Sequence, residues 1–420
     1  MAITPNERLQ RVRGTADNLD LSYTTALLKT ISDLLTTHNF TPIATPIIEQ
    51  TDLFVRSLGT ETDVVSKEMY LIERKTETSE AVCLRPESTA STIRAFVENK
   101  VEQRPWKTFQ YGPMFRYERP QKGRFRQFHQ LNIEVVDAPS FSHDIQFLVM
   151  LDAIWKKLGI TNHVLAINFI GTLEDRKIHR EKLLKFLAKK QSYQCQTCLV
   201  RVEKNLLRIF DCKNQDCQTL YKNAPKITEC LSEQSQQDWQ KLQDTLQMLS
   251  INFVHNPLLV RGLDYYYGLV FEFVSSDLGA QNAFCGGGRY DLAQTFGLDQ
   301  TIPSLGAAIG MERLVDILQT TQSFPAPQKP KLHVILPMSE AQHVIAQFLG
   351  QAMTRAGLCV EILFDGSMKT MMRKANKIGA ATALIIGEDE QKTESVMVKN
   401  MITGEGALVK QADVVETLRG

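Results

Sequence analysis

Residues 116–134 read RYERPQKGRFRQFHQLNIE. Polar and apolar residues alternate on both sides of its loop, over Trp106–Phe115 and Phe125–Val136, as they do in β-strands. Pro120 and Gly123 separate the two runs and are typical of turns. The pattern predicts a β-hairpin with a charged loop.

Four polar side chains of this hairpin are predicted to share one face, because residues two apart on a strand point the same way. They are Arg116, Glu118, Gln130 and Glu134. A sheet face that carries arginines and carboxylates together is poorly suited to be a hydrophobic core. It is well suited to bind an anion beside an ammonium group.

The loop of the hairpin concentrates positive charge. It sets five cations against one carboxylate: Arg116, Arg119, Lys122, Arg124 and Arg126 against Glu118. Such runs are most often solvated loops. The formal net charge of +1 gives no support to a nucleic-acid partner, but an RNA-binding enzyme can gather its basic residues locally.

Length and composition limit the class of protein. A chain of 420 residues is too long for one core, which predicts two or three domains. No apolar run approaches the roughly 20 residues that cross a bilayer, and Met1–Arg13 lacks the apolar segment of a signal peptide, so we expect a cytoplasmic protein with no membrane partner. Its eight cysteines are then expected to be free thiols or metal ligands.

The apolar spacing predicts an α+β fold, an antiparallel sheet flanked by helices, over residues 1–323. Predicted helices include Ser22–His38, Glu87–Asn99 and Ser142–Leu158; further strands are predicted at Met69–Ile72, Leu269–Val274 and Ser304–Gly310. A helical insertion is expected at about 171–250, where the chain becomes rich in Lys, Gln and Cys, with helices at Glu174–Lys190 and Glu233–Leu249.

A proline-rich segment, residues 324–330, is predicted to be an interdomain linker. Strand and helix patterns alternate after it. This alternation predicts a small α/β domain with a partly parallel sheet over residues 331–420.

Four more segments carry chemically useful groups. They are Leu84–Thr89, Leu259–Tyr266, the glycine run Ala283–Asp291, and Ser304–Arg313. Each alone is weak, since a glycine run is usually a turn and a carboxylate at a helix start is usually a cap. Together they add Glu87, Arg261, Arg313 and several tyrosines to the hairpin residues, and we expect all these groups to fall on strand-like segments of one sheet.

The motifs together resemble the histidyl-tRNA synthetase family, within the class II aminoacyl-tRNA synthetases, over essentially the whole chain. The resemblance begins at Arg13–Asp17, and Ala44–Glu49 is similar to the dimer-interface motif of the class. The hairpin and Gly306–Arg313 resemble its second and third motifs. Arg261–Tyr266 and Cys285–Asp291 resemble the signatures that distinguish the histidine enzymes.

This resemblance implies a homodimer that uses ATP and Mg²⁺ to activate L-histidine as histidyl-adenylate, with release of pyrophosphate. The histidine is then transferred to the 3′ end of histidine tRNA. Arg116, Arg261 and Arg313 would be catalytic. ATP would contact Arg116, Glu118, Arg124, Phe128 and Arg313, with Glu118 on the adenine amino group or a metal. The resemblance also implies that residues 331–420 bind the anticodon.

For histidine, the resemblance implies a pocket of hydrogen-bonding groups. Its members would be Glu87, Ser88, Thr89, Arg116, Gln130, Glu134, Arg261, Tyr265, Tyr266 and Tyr290. The chain departs from the family pattern at Ser88, Tyr267 and Leu292, which changes the pocket contour without removing a catalytic group. His129 is opposite in register to this pocket, which favours packing or a tRNA contact over catalysis.

Two questions stay open from the sequence. The spacings of Cys195, Cys198, Cys212 and Cys217 are ones that zinc loops tolerate. Four reduced thiols without a metal explain the same spacings and are the expected state.

The alternative function is that of the synthetase-like regulatory subunit of ATP phosphoribosyltransferase, which lacks the anticodon domain and loses several of the arginines. A further alternative function is that of an RNA-binding pseudo-synthetase. The retained arginines favour the ligase over both.

Overall fold

The computed structural model describes residues 9–60, 62–121, 123–204, 206–263, 265–278 and 283–419. Lys122, the first eight residues of Met1–Arg13, and Asp264 within the segment Leu259–Tyr266 lie outside these ranges. The chain divides into two compact units, Met1–Pro325 and Ala326–Gly420. None of the helices in the described ranges is long and apolar enough to span a membrane.

The first unit contains strands and helices in alternation. Its strands are β1 (Thr41–Pro42), β2 (Ile48–Gln50), β3 (Tyr70–Leu71), β4 (Val82–Leu84), β5 (Trp106–Phe115), β6 (Gln127–Val136), β7 (His163–Phe169), β8 (Phe253–His255), β9 (Tyr266–Ser275), β10 (Ala283–Tyr290) and β11 (Ser304–Gly310). Its helices are α1 (Ser22–Thr37), α2 (Thr51–Leu58), α3 (Thr89–Glu98), α4 (Ser142–Lys157), α5 (Leu173–Leu187), α6 (Gln196–Lys204), α7 (Gln215–Lys222), α8 (Glu233–Met248) and α9 (Met311–Thr321).

Eight described strands of this unit form one sheet in the order β1-β5-β6-β11-β10-β9-β7-β8. The predicted hairpin forms the second and third strands of this sheet, with β5 and β6 antiparallel from the pair Trp106 and Val136 to the pair Phe115 and Gln127. The next pairings, from β6 to β7, are also antiparallel, and only the edge pairs β1/β5 and β7/β8 are parallel. The α+β fold with an antiparallel central sheet is therefore confirmed.

The two faces of this sheet differ because the strands alternate in polarity. On β6, Leu131, Ile133 and Val135 are buried in the main core, where α1, α4 and α9 pack against them. Helix α1 contributes residues at intervals of four, which puts them on one helical face: Leu27, Ile31 and Leu35. The opposite side chains of β6 are polar, and this second face of the sheet is available for a site.

The helical insertion has four α-helices in its described part, α5 to α8, where two were predicted. Helices α6 and α7 are short and polar, which hides their periodicity. A capping box between Thr172 and Asp175 starts α5, and Asn214 caps α7. A small separate core holds α5, α6 and α7 together.

The second unit is a five-stranded sheet with helices on it. Its strands are β12 (Leu332–Pro337), β13 (Cys359–Ile362), β14 (Thr382–Ile386), β15 (Ser395–Asn400) and β16 (Gly406–Lys410); its helices are α10 (His343–Arg355), α11 (Met368–Lys377), α12 (Glu388–Lys392) and α13 (Val414–Arg419). The order is β13-β12-β14-β15-β16, with the first three strands parallel and the last two antiparallel. The partly parallel sheet was predicted, but the β15–β16 hairpin was not.

Candidate active site

A cavity of about 560 Å³ opens on the polar face of the large sheet. Most residues assigned from the sequence to substrate binding line it: Glu87, Thr89, Arg116, Glu118, Arg124, Phe128, Gln130, Arg261, Tyr265, Tyr266, Tyr290 and Arg313. Ser88 and Glu134 are buried close behind these residues. The fold thus gathers groups from distant stretches of chain around one space.

The expectation that these groups all lie on strands is wrong. Arg116 follows the last residue of β5, Arg261 lies in an irregular segment between β8 and β9, and Arg313 is in the first turn of α9. Side chains on a strand stand perpendicular to the sheet, whereas those at element ends can turn toward a ligand. Two of the arginines therefore come from the ends of elements and Arg261 from a connecting segment, while β6 supplies the floor.

Two of the arginines are held by backbone carbonyls. Arg116 donates from Nε to the Pro86 carbonyl at 3.0 Å, and its guanidinium lies 5.3 Å from the centre of the Phe128 ring. Arg313 donates from Nη1 to the Ala283 carbonyl at 2.7 Å. These bonds leave other N–H groups of each guanidinium to face the cavity, since each has five.

A carboxylate holds the guanidinium group of Arg261, and a glycine leaves space for it. Its Nη1 donates to Glu272 Oε1 at 2.5 Å, while its buried Nε has no hydrogen-bond partner among the described residues. A Cβ at Gly286 would lie 2.5 Å from Nη1, so a side chain there would displace the guanidinium. The glycine run predicted to allow close approach therefore makes room for this arginine.

Glu134 is a buried carboxyl with two hydroxyl donors. The hydroxyl groups of Thr89 and Tyr290 each donate to one of its oxygens at 2.7 Å. Burial raises the pKa of Glu134 to about 8, with Glu87 adding to the rise and the two hydroxyl groups opposing it. A Cβ at Gly306 would overlap the carboxyl group. The raised pKa favours the protonated form of this carboxyl group in the unliganded site at neutral pH.

Glu87 lines the cavity and also caps a helix. Its two carboxylate oxygens accept the backbone N–H groups of Thr89 at 2.7 Å and Ala90 at 3.0 Å, which caps the start of α3. Burial raises its pKa, and those two backbone donors lower it. Ser88, which precedes α3, is fully buried with no hydrogen-bond partner for its hydroxyl group among the described atoms.

Buried acceptors without partners lie on the floor of the cavity. Within the described residues, Gln130 Oε1 and Asn132 Oδ1 accept no hydrogen bond. Buried acceptors are normally satisfied, so both are suited to a ligand donor such as an ammonium group. Asn132 was not assigned from the sequence, although the alternation that selected Gln130 and Glu134 also selects it.

The loop of the hairpin forms another part of the lining. Arg124 Nη1 lies 3.2 Å from Glu118 Oε2, and Glu118 is the less exposed partner, at 16% against 42%. Phe128 offers its ring beside Arg116. An aromatic face next to a guanidinium and a carboxylate fits a flat heterocycle joined to phosphates.

The insertion supplies a wall that the sequence analysis missed. Arg201, Arg208, Asp211 and Lys213 also line the cavity. Arg208 donates from Nη1 to the Gly262 carbonyl at 2.9 Å and lies 3.2 Å from Asp63 through Nη2. Residues 208 and 262 are far apart in sequence, and no motif signals their contact.

Comparison with known families identifies the chain. The family model described as Histidyl-tRNA synthetase matches residues 18–314, and the model described as Anticodon binding domain matches residues 333–420. The chain belongs to the histidyl-tRNA synthetase family. Its members are aminoacyl-tRNA ligases, and this chain is an enzyme of that class.

Relatives of this family cover nearly the whole chain. The "Histidine--tRNA ligase" of Halothermothrix orenii is 40% identical over 397 residues, 91% of each chain. The crystal structure of apo S. aureus histidyl-tRNA synthetase is 29% identical, covers 98% of this chain and 100% of its own, and superposes with a TM-score of 0.81. A Bacillus halodurans structure titled "ATP phosphoribosyltransferase regulatory subunit/histidyl-tRNA synthetase" is 16% identical with a TM-score of 0.61, which shows the fold alone.

His129 is not among the residues that line the candidate active-site cavity, as the register predicts. It borders a second cavity of about 410 Å³. Its ring stacks on Tyr111 with centroids 5.5 Å apart, and its Nδ1 lies 3.0 Å from Glu312 Oε1. These contacts give it a packing role.

The four cysteines of the synthetase insertion come together. The Sγ atoms of Cys195, Cys198, Cys212 and Cys217 all lie within 4.8 Å of one another. None of the four is in a disulfide.

Proposed function

We propose that the cavity on the polar face of the large sheet is where this histidine–tRNA ligase activates its amino acid with ATP. In the first step, a histidine carboxylate oxygen attacks the α-phosphorus, the bond to the β-phosphate oxygen breaks, and pyrophosphate leaves. In the second step, a terminal ribose hydroxyl of the tRNA attacks the acyl carbon, and its proton passes to a phosphate oxygen of the departing AMP. AMP leaves with the electron pair of the broken C–O bond.

One observation carries this proposal: three guanidinium groups from distant stretches face the same cavity as a set of buried polar groups. The guanidinium groups are those of Arg116, Arg261 and Arg313. Attack on the α-phosphorus spreads negative charge over phosphate oxygens. Donors already fixed around that position stabilise the transition state without further rearrangement.

The family resemblance suggests a role for each arginine, and its position in the cavity supports that role. Arg116, beside Phe128, contacts the α-phosphate while the adenine ring stacks on Phe128. Arg261, which pairs with Glu272 over Gly286, contacts both the α-phosphate and the histidine carboxylate. Arg313, near the hairpin loop at Gly123, contacts the γ-phosphate end, with Arg124 as a further phosphate contact.

Histidine fits the remaining part of the cavity. The hydroxyl groups of Thr89, Tyr266 and Tyr290 and the carboxyl group of Glu134 surround an imidazole, which needs both a donor and an acceptor. The ammonium group pairs with acceptors on the floor, Gln130 and Glu87. A pocket built around hydrogen bonds rejects an apolar analogue by a factor of about 10⁴–10⁵, because the buried polar groups would lose their partners.

Mg²⁺ fits this site through its donor chemistry. It prefers carboxylate and phosphate oxygens, and Glu118 has a buried Oε2 without a hydrogen-bond partner in the described structure, although Arg124 lies 3.2 Å from it. When bound, the ion would neutralise charge on the phosphates. The same carboxylate could alternatively accept the adenine amino group.

The second unit is proposed to bind the anticodon of histidine tRNA. It belongs to the anticodon-binding family by its match over residues 333–420. Its helix α11 carries four exposed cations, which suit a phosphate backbone: Lys369, Arg373, Lys374 and Lys377. A cytoplasmic location is proposed, because this reaction needs ATP, histidine and tRNA in one compartment.

A homodimer is proposed through the segment Ala44–Glu49. Ile47 and Ile48 are 40% and 54% exposed there, and Leu71 on the same three-stranded sheet is 66% exposed. Neighbouring exposed apolar side chains are typical of a surface that is covered in an assembly.

Histidine-dependent exchange of ³²P between pyrophosphate and ATP tests the proposed activity. We expect exchange with L-histidine and with none of the other nineteen standard amino acids. Exchange with none of them, from a folded chain that still binds histidine, would support the regulatory subunit and overturn the ligase. Exchange with another amino acid alone would overturn the assignment of the pocket.

A further inference from the structure

The cysteine cluster of the insertion has the dimensions of a metal site. All four Sγ atoms lie within 4.8 Å of one another, and those of Cys195 and Cys212 are 3.7 Å apart. Zinc binds thiolates at about 2.3 Å, so the edge of a tetrahedral four-sulfur site is about 3.8 Å. The observed separations need little adjustment to close around one ion.

The surroundings of the sulfurs suit thiolates. Cys198 and Cys217 are fully buried, and Cys212 is 6% exposed. Backbone N–H groups point at two of the sulfurs: that of Cys195 donates to Cys217 Sγ at 3.2 Å and that of Asn214 to Cys212 Sγ at 3.4 Å. Amide hydrogen bonds of this kind orient and stabilise metal-bound sulfur.

The short helices and small core of the insertion favour a stabilising metal centre. Helices α6 and α7 have nine and eight residues, which is too short to be stable alone. Their shared core with α5 is small, and small cores are commonly completed by disulfides or a metal. Since the four cysteines form no disulfide, the cluster is the group in place to complete it.

We propose that Cys195, Cys198, Cys212 and Cys217 bind one structural Zn²⁺ ion. Each cysteine gives up its thiol proton and forms one Zn–S bond, so that all four positions are filled by protein and no open position remains for substrate chemistry. The ion joins the start of α6 to the segment before α7. This changes the expectation of four reduced thiols because the sulfur separations could not be read from the spacing.

The same ion fixes one wall of the active site, a consequence that rests on the proposed function. Cys212 lies between Asp211 and Lys213, which both line the cavity. Asp211 Oδ2 lies 3.1 Å from Nε of Arg208, and Arg208 donates to the Gly262 carbonyl beside Arg261. The zinc centre therefore anchors the contact between the insertion and the segment that carries Arg261.

Metal analysis of the full chain tests the site directly. Purified under reducing conditions without chelator, it should hold about one zinc ion per chain by mass spectrometry. Cys198→Ser and Cys217→Ser should lose most of that zinc. Cys230→Ser, buried in the same insertion but outside the cluster, and Cys359→Ser, exposed in the second unit, should keep it.

Cobalt provides a measurement that does not depend on variants folding. Exchange of Co²⁺ into the wild-type chain should give the intense visible absorption of a tetrahedral thiolate complex. A reduced wild-type chain that retains no zinc and shows no such absorption when titrated with either metal would overturn the proposal. Equal zinc in Cys217→Ser and the wild type would also overturn it.

Amide hydrogen exchange tests the role of the ion as an anchor. Removing zinc from the wild-type chain should speed exchange over residues 206–213, while β6 stays protected. Bound zinc without that change on removal would overturn the anchoring role. Failure of histidine activation in a zinc-loaded chain would instead count against the proposed function, so the two results are separable.

Discussion

The two walls of the active-site cavity are built differently. On the sheet side, Glu134 is buried and Arg261 is partly buried, and each has a glycine that leaves space for it. On the insertion side, Arg208 is paired with Asp63 and Asp211, whose side chains are 39% and 37% exposed. Charges fixed in low dielectric act strongly on a transition state, whereas partly exposed pairs are screened. The sheet wall is thus suited to chemistry and the insertion wall to positioning.

The largest effect is expected on the sheet wall at Arg261. Arg261→Ala removes a cation from the site of developing phosphate charge, and loss of one such donor costs about 10²–10³ in rate. Histidine-dependent pyrophosphate exchange should fall by at least that factor while the circular dichroism spectrum is unchanged. Arg180→Ala, exposed on α5, is the matched control and should keep full exchange. Near-normal exchange in Arg261→Ala would show that the sheet wall is no more important for the chemistry than the insertion wall.

A smaller effect is expected from filling the space beside Glu134. In Gly306→Ala the new Cβ meets the Glu134 carboxyl group, and overpacking of this kind costs about 1–3 kcal/mol. Urea unfolding should show a loss of that size, and the KM for histidine should rise. Gly310→Ala is the control on the same strand, because its Cβ would meet no atom closer than 3.7 Å. Equal stability of the two variants would contradict this account.

The pH dependence of the free energy of unfolding tests the environment of Glu134 on the sheet wall. The pKa of Glu134 is about 8 in the folded chain against an ordinary 4.5, so between these values only the folded chain keeps the proton. The free energy of unfolding should therefore fall as pH rises through this window, by up to about 1.4 kcal/mol per unit, and level off above it. Glu134→Gln should lose this part of the slope.

The measurement for that prediction is urea unfolding at several pH values. Glu181→Gln, an exposed change on α5, is the control and should keep the wild-type slope. If Glu134→Gln also keeps it, Glu134 is ionised in the folded chain at neutral pH and its environment is more polar than its burial indicates.

The smallest effect is expected on the insertion wall. Arg208→Ala removes two partly exposed ion pairs, each worth at most about 1 kcal/mol. The KM for ATP or histidine should rise by no more than about fivefold, with kcat nearly unchanged. Steady-state kinetics would decide this, and a loss as large as that of Arg261→Ala would show that both walls carry the chemistry.

The sequence predicted the elements with strong periodicity. The bounds of β5 at Trp106–Phe115 and of β11 at Ser304–Gly310 were correct because alternation continues to both ends. The β15–β16 hairpin was missed, since β16 is almost wholly exposed and carries no apolar alternation. Helices α6 and α7 were missed because they are short and polar.

The residues of the candidate site also divide into those that the sequence predicted and those that it missed. The sheet-side residues stand in local motifs, so their gathering could be anticipated from a resemblance. The insertion residues could not, because the contact between Arg208 and Gly262 depends on how the insertion folds back. Asn132 could have been found by alternation alone.

The retained proton on Glu134 has a consequence for ligand binding. An incoming imidazole supplies an N–H donor next to this carboxyl group, and a hydrogen bond to the ionised form favours that form. Amino-acid uptake should then expel hydrogen ion into the medium. The heat of histidine binding measured by calorimetry would accordingly vary with the ionisation enthalpy of the buffer. The affinity of this enzyme for its amino acid would therefore depend on pH.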